Sequence, residues 1–205
     1  TLCYALKNLD SLNHLNISKL NKNLKNDSNL LFKSLPFSLA LVSLDLSYCN
    51  HLVNDSIVSN LLYECKSMRM LKLDFCKNLN DKSFVQTKIQ APIENLSIKN
   101  LFKITDFSLD TLAFYLNSKL KKLNISGCLN ISNAGIENFL QKTTCLEELD
   151  ASWTNLDEIF IKNLEHILFS KQKIDSRLNV SKIKLKQIHS LKNLNCIKFN
   201  NDECI

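Results

Sequence analysis

Apolar and polar positions along the chain fall into one recurring figure: two leucines three apart, a third apolar residue two further on, a polar step, a small residue, and then another Leu or Ile shortly before Asp or Asn. It reads Leu41-Val-Ser-Leu44-Asp-Leu46-Ser47-Tyr48-Cys49, with Leu52 and Asp55 behind it, and Met68-Arg-Met-Leu71-Lys-Leu73-Asp74-Phe75-Cys76, with Leu79 and Asp81. Three further copies are Ile93-Glu-Asn-Leu96-Ser-Ile98-Lys99-Asn100-Leu101, Leu120-Lys-Lys-Leu123-Asn-Ile125-Ser126-Gly127-Cys128 and Leu146-Glu-Glu-Leu149-Asp-Ala151-Ser152-Trp153-Thr154. The successive second leucines are 27, 25, 27 and 26 residues apart. Self-similarity at that period marks stacked supersecondary units. Looser copies flank the series: Leu12-Asn-His-Leu15-Asn-Ile17-Ser18 before it, and Leu178-Asn-Val180-Ser181 and Leu194-Asn-Cys-Ile197-Lys-Phe199 after it.

Within a copy the period is first two and then near 3.6. Leu44 and Leu46 point to one face while Ser43, Asp45 and Ser47 point to the other, which predicts a short strand. From Asp55 to Cys65, Ile57, Val58, Leu61 and Leu62 recur at helical spacing, and 113–116 and 136–140 repeat the habit. One strand and one short helix cannot bury both apolar faces alone. Stacked units share a continuous core, so the pattern predicts a solenoid with a parallel sheet on the inner curve and helices on the outer.

These residues resemble the cysteine-containing leucine-rich repeats, whose pattern is L-x-x-L-x-L-S-x-C-x-x-(L/I)-(T)-D. That family includes the repeat domains of F-box proteins and the antagonist-of-mitotic-exit proteins. The resemblance implies an α/β fold, a right-handed leucine-rich-repeat horseshoe with its parallel sheet concave and short helices convex. Residues 1–205 are then one domain of about seven to eight repeats, with an irregular repeat in 1–30 and irregular repeats or a cap in 167–205. Leu101 and Thr154 stand where the pattern has Cys, and the first copy has Leu20. Leu35-Pro36-Phe37-Ser38-Leu39 is similar to an F-box start, but the strand at Leu44 follows too soon for the F-box helices. An F-box is therefore expected upstream of Thr1, in a chain whose opening without Met reads as a trimmed piece.

Composition adds constraints. Only 2 Gly and 2 Pro occur in 205 residues, which leaves Asn to make the turns, since it tolerates left-handed backbone better than most. The net charge of +6 comes from scattered Lys, with Arg69 and Arg177 the two arginines. Without Arg-rich runs or basic stretches interleaved with aromatics, nucleic acid is not the expected partner. No apolar run approaches the roughly 18 residues that span a bilayer, so no membrane helix is expected.

Of the 8 cysteines, Cys49, Cys76 and Cys128 share one phase, which predicts an inward packing ladder of small apolar groups with a weak S–H donor. Cys65 and Cys145 read as a second phase, and Cys3, Cys196 and Cys204 have no assignment. The spacings C-x-x-C and H-x-x-x-H are absent, so no metal is expected. Free thiols point to a reducing compartment, cytoplasmic or nuclear. The N-x-S triplets at Asn16, Asn95, Asn124 and Asn179 read as strand motif in place of glycosylation sites. His14, His51, His166 and His189 sit at unrelated phases, and no nucleophile, zincin or phosphate-loop motif accompanies them. No enzyme activity and no cofactor are expected.

The working surface is then the concave face, where equal phases form rows. One row is Asn16, Asp45, Lys72, Ser97, Asn124, Asp150 and Asn179; the next is Ser18, Ser47, Asp74, Lys99, Ser126, Ser152 and Ser181. Both are polar and mixed in sign. Just beyond them Tyr48, Phe75 and Trp153 recur at the rim, with Asn100 and Gly127 between, and aromatics beside a polar sheet are common interface anchors. Trp153, the single Trp, lies next to Glu148 and Asp150. The expected function is a protein-interaction module: by resemblance, the substrate-recognition repeats of an F-box (SCF) ubiquitin ligase subunit, whose adaptor would bind upstream of Thr1. The alternative is a structural repeat subunit of a large axonemal or mitochondrial assembly.

Overall fold

The computed structural model of the protein describes residues 12–20, 40–157, 159, 160, 163 and 184–185. Among them seven strands form one parallel sheet in sequence order: β1 (His14–Asn16), β2 (Ser43–Asp45), β3 (Met70–Lys72), β4 (Asn95–Ser97), β5 (Lys122–Asn124), β6 (Glu148–Asp150) and β7 (Lys184–Leu185). Four helices return between them: α1 (Asp55–Glu64), α2 (Lys82–Val85), α3 (Asp106–Leu116) and α4 (Asn133–Lys142). This is a leucine-rich-repeat solenoid.

The register follows the two-residue alternation. Leu15, Leu44, Leu71, Leu96, Leu123 and Leu149 pair in one unbroken line. From Leu44 to Leu149 every member of that line is at most 2% exposed. Leu46, Leu73, Ile98, Ile125 and Ala151 form a second buried line two residues on. At roughly 1.5 to 3 kcal/mol for each fully buried aliphatic side chain, these lines supply the stacking drive that a lone unit lacks.

The cysteine ladder is present as expected. Cys49, Cys76 and Cys128 are buried, and each S–H donates to the carbonyl of the repeat before it: to Ile17 at 3.1 Å, Leu46 at 3.2 Å and Ile98 at 3.1 Å. Leu101 and Thr154 fill the same line and are also buried. The second cysteine phase is corrected by the structure. Cys65 is buried at the C-cap of α1, with its N–H on the Leu61 carbonyl at 3.0 Å. Its counterpart at the C-cap of α4 is Thr143, whose N–H reaches the Phe139 carbonyl at 3.1 Å. Cys145 comes two residues later and is exposed.

Helix starts are set by side-chain caps. Asn54 accepts from the Ile57 N–H, Thr105 from that of Phe107 and Ser132 from that of Gly135, each satisfying a donor that the first turn leaves unpaired. The third repeat is the short one, and α2 has only four residues. After it the chain runs on without helix, with the N–H groups of Gln90 and Ala91 both 2.9 Å from the Leu62 carbonyl, while Ile89 and Ala91 fill the core.

Beyond each strand the chain makes one left-handed residue. Lys19, Tyr48, Phe75, Asn100, Gly127 and Trp153 all have φ between 56° and 74°. Their N–H groups extend the sheet by one more rung: Tyr48 to the Asp74 carbonyl, Phe75 to Lys99, Asn100 to Ser126 and Gly127 to Ser152, all at 2.8 Å. A side chain is costly there on backbone grounds, and at Gly127 a Cβ would also stand 2.0 Å from Oδ1 of Asn100. Gly127→Ala is expected to lose about 1 to 2 kcal/mol, read as a lowered urea midpoint with unchanged m. An unshifted midpoint would show that Asn100 swings aside at no cost.

At the C-terminal end the structure differs from the expectation. The strand beside β6 is Lys184–Leu185, with Lys184 opposite Glu148 and Leu185 opposite Leu149, not the segment around Leu178 to Val180. That segment, Asn179, Ser181, and the N-terminal and C-terminal irregular repeats expected in 1–30 and 167–205 lie largely outside the described residues.

Candidate functional site

Each strand leaves its first and third residues on the open face of the sheet. There β3 to β6 border a shallow depression of about 280 Å³, lined by Met70, Lys72, Asn95, Ser97, Lys122, Asn124, Glu148 and Asp150, with the leucine line as its floor. Four residues of one row meet here, Lys72, Ser97, Asn124 and Asp150, joined by Glu148, the neighbour of Trp153. Met70, Asn95 and Lys122 were not singled out. Alternation alone places them on the same face, one step toward the strand start.

The other candidates lie around it in separate rows. Asp45 sits on β2 with an oxygen 3.7 Å from the Lys72 ammonium. Asp74 is held by the next repeat, accepting from the Ser97 hydroxyl at 2.6 Å and the Lys99 N–H at 3.0 Å. Several polar residues of the third-position row close the turn after their own strand. Asn16, Asp45, Asn124 and Asp150 each accept the N–H two residues on, an Asx turn that accounts for Asn and Asp at this phase. In two copies the N-x-S triplet is thus a turn motif: Asn16 to Ser18 and Asn124 to Ser126. Ser47 and Ser126 are buried, because the left-handed turn that follows draws their row in under the rim. The Ser126 hydroxyl is the buried side-chain oxygen without a partner among the described residues.

At the rim, Tyr48 and Phe75 stack with ring centroids 4.4 Å apart and planes 11° apart, and the Lys19 ammonium stands 5.3 Å over the Tyr48 ring. The rim pair therefore packs against itself, which offsets part of the left-handed strain. Trp153 is 42% exposed and holds φ of 59°. Asn100 and Gly127 satisfy the same turn with residues that tolerate it, so the turn itself does not call for an indole.

Charge runs along the strand starts as well as the strands. Glu94 sits between Arg69 and Lys121, paired with both, the Lys121 contact at 2.7 Å. Hydrogen bonds from Lys121 and Arg69 hold the Glu94 carboxyl below its usual range, and the same carboxylate raises Lys121. Lys122 reaches Glu148 at 2.8 Å. Among the described residues no group of His, Cys, Asp and Glu is placed to hold a metal ion, and no helix is long and apolar enough to cross a membrane.

No family model matches the chain. Among curated proteins it is similar to F-box/LRR-repeat protein 4 of Bos taurus, at 26% identity over 55% of this chain and 22% of that protein. The chain thus spans about a fifth of the length of the relative it matches. Among solved structures it is similar to a chain of the yeast Rad7 and Elc1 complex, with TM-score 0.60 and 20% identity over 87% of this chain and 53% of that one. It is also similar to the leucine-rich repeat-containing protein LegL7 of Legionella pneumophila, with TM-score 0.51 and 17% identity over 92% of this chain and 71% of that one. The line of buried leucines, the cysteine ladder and these likenesses agree on the fold: the chain is a leucine-rich-repeat solenoid whose repeats resemble those of an F-box/LRR-repeat protein.

Proposed function

We propose that the chain is the partner-recognition region of a larger protein, and that this protein is a substrate receptor of an F-box-type ubiquitin ligase. The observation that carries the reading is the depression on β3 to β6, an accessible hollow edged by polar side chains over a largely apolar floor on a parallel sheet. Residues there are held by the backbone ladder, so a partner meets a preorganised face and little ordering cost. The likeness to an F-box/LRR-repeat protein supports the ligase role, and the likeness to a chain of the Rad7 and Elc1 complex supports the solenoid fold on which the interaction reading stands. Both are analogies of repeat type, and sites carry function where folds do not.

The ligase reading is tested by affinity capture of the full-length protein with the F-box adaptor. Recovery of the adaptor in stoichiometric amount is the expected result, and beads without it sink the ligase role while leaving the interaction module intact. For a partner recovered in the same way, Trp153→Ala is expected to weaken binding by more than about 1 kcal/mol, as a partly exposed aromatic anchor does. An unchanged affinity in a calorimetric titration would remove Trp153 from the interface.

A further inference from the structure

The open face dips over β4 because of what stands on either side. In register, Asn95 lies between Met70 and Lys122, and Ser97 between Lys72 and Asn124, so β4 carries short side chains with longer ones around them. The two lysine heads are drawn apart. Lys72 pairs with Asp45 on β2 at 3.7 Å, and Lys122 with Glu148 on β6 at 2.8 Å, each reaching away from β4. What the lysines leave beside the hollow is their methylene stems, charge turned outward, with the Met70 thioether alongside. Two lysines and two carboxylates line the hollow, and each lysine is paired, so it favours neither an acid nor a base. The Ser97 hydroxyl is engaged by Asp74. The Asn95 carboxamide also lines the hollow, and among the described residues it has no hydrogen-bond partner.

We infer that the hollow seats one tyrosine side chain of a protein partner, its ring over β4 between the lysine stems and its hydroxyl on the Asn95 carboxamide. Size, charge and hydrogen bonding each favour that occupant. A cavity of about 150 Å³ accepts benzene, so a hollow of about 280 Å³ holds a substituted ring. It falls short of the roughly 300 to 1,000 Å³ that whole small ligands occupy. Strands are about 4.8 Å apart, which sets β3 and β5 roughly 10 Å apart. A ring touching carbon on both faces at about 3.5 to 4.0 Å takes up about 7 to 8 Å of that span. A neutral ring suits paired charges, and the Met70 sulfur suits an aromatic edge. A leucine or phenylalanine would cover Asn95 and leave its amide unpaired, at the cost of that group's desolvation. A phenol gives the amide a partner and still presents an apolar body. Anchors of this kind dominate interface centres.

The inference rests on the concave-face reading, and the experiment lets the two fail separately. The probes are N-acetyl-tyrosinamide, N-acetyl-phenylalaninamide and N-acetyl-leucinamide, titrated into the 205-residue chain while its backbone amide resonances are followed by NMR. The tyrosine amide is expected to shift Asn95, Ser97, Lys122 and Asn124 at millimolar concentration, about threefold or more tightly than the phenylalanine amide, with the leucine amide weaker again. Asn95→Ala is expected to erase the preference for tyrosine over phenylalanine. Asn95→Trp, which plugs the hollow without breaking a bond, is expected to remove the shifts of all three. Equal or absent binding of the three amides, shifts spread over other faces, or a tyrosine preference that survives Asn95→Ala overturns the inference. A partner captured by the full-length protein supplies the separating arm, and Asn95→Trp is expected to abolish its capture. Capture lost in that variant while the tyrosine amide shows no preference retains the face and discards the tyrosine. Capture kept in that variant discards the hollow as the partner's seat, and the concave-face reading with it.

Discussion

Asp81→Ala is expected to cost about 3 kcal/mol of unfolding free energy, more than any other single carboxylate described. Although Asp81 precedes α2, its side chain makes no cap on that helix. It reaches into the next repeat instead, accepting from the Thr105 N–H at 2.8 Å, the Thr105 hydroxyl at 2.7 Å and the Ser108 hydroxyl at 2.6 Å. Thr105 is the N-cap of α3, so one carboxylate holds the entry to the following helix. The same device links the second repeat to the third, where Asp55 accepts from the Asn80 N–H at 2.9 Å and the Ser83 hydroxyl at 2.5 Å. At the next junction Asp106 takes the Ser132 N–H and hydroxyl, and Gly135 stands where Ser83 and Ser108 supply a hydroxyl.

Two features make Asp81 the member with the largest effect. Its partners are part-buried donors left unsatisfied by truncation, and α2, at four residues, offers little apolar surface to bridge the junction otherwise. Asp81→Asn is expected to lose less than half as much. Asn133 already occupies the equivalent place, accepting from the Asp157 N–H at 3.2 Å while its amide donates to the Asp157 carboxylate. Urea unfolding of the three proteins gives the stabilities, and hydrogen exchange gives the location. Fast exchange should appear first at the amides of Phe107 and Ser108. Equal stability of Asp81→Ala and the parent protein would show that the inter-repeat carboxylates are incidental.

Much of the architecture was legible because it depends on short-range alternation. The spacing of Leu44 and Leu46 sets which face is buried, and repetition at nearly constant period sets the parallel register without any long-range guess. Cys49, Cys76 and Cys128 were readable for the same reason. The places that escaped are those where backbone geometry overrides residue type. Tyr48, Phe75 and Trp153 are poor choices for left-handed backbone, so nothing at those positions announced a turn; only Asn100 and Gly127 in the same line hint at it. Cys145 matched Cys65 in loose alignment, yet it lies two residues past the cap position, which Thr143 occupies, and its side chain emerges into solvent. Lys184–Leu185 lost to Leu178-Asn-Val180 by motif because a Lys-rich strand carries little apolar signal. At the site, Lys72, Ser97, Asn124 and Asp150 were legible through one row, and Glu148 only as a neighbour of Trp153. Met70, Asn95 and Lys122 were missed because only one of the two outward positions in each strand was followed.

The buried thiols should make the protein alkali-sensitive in a way that Lys and Tyr titration cannot reproduce. Burial pushes the Cys65 thiol up to about 11, with the Glu64 charge adding to it. Burial likewise pushes Cys76 up to about 12 against the opposing effect of its backbone hydrogen bond, and Cys128 up to about 12. In the unfolded chain a thiol ionises near 8.5. Below that value both states keep the proton and the thiols contribute nothing pH-dependent. Above it the unfolded chain releases protons that the folded one retains, so unfolding is favoured increasingly until the folded thiols themselves ionise. Each thiol then adds a slope of up to about 1.4 kcal/mol per pH unit. Across pH 9 to 11, three thiols together reach a loss of several kcal/mol, comparable with a whole domain's stability of roughly 5 to 15 kcal/mol. The comparison is urea unfolding at pH 8 and at pH 10.5 for the parent protein and for Cys65→Ala, Cys76→Ala and Cys128→Ala combined. The triple variant starts lower, since Cys76 and Cys128 give up their S–H bonds to Leu46 and Ile98. That deficit does not vary with pH, and the variant's further loss on raising pH should be much the smaller. Parallel losses in the two proteins would mean that the thiols are hydrated or ionise at ordinary pH, and that the ladder is not the dry, protonated column its geometry requires.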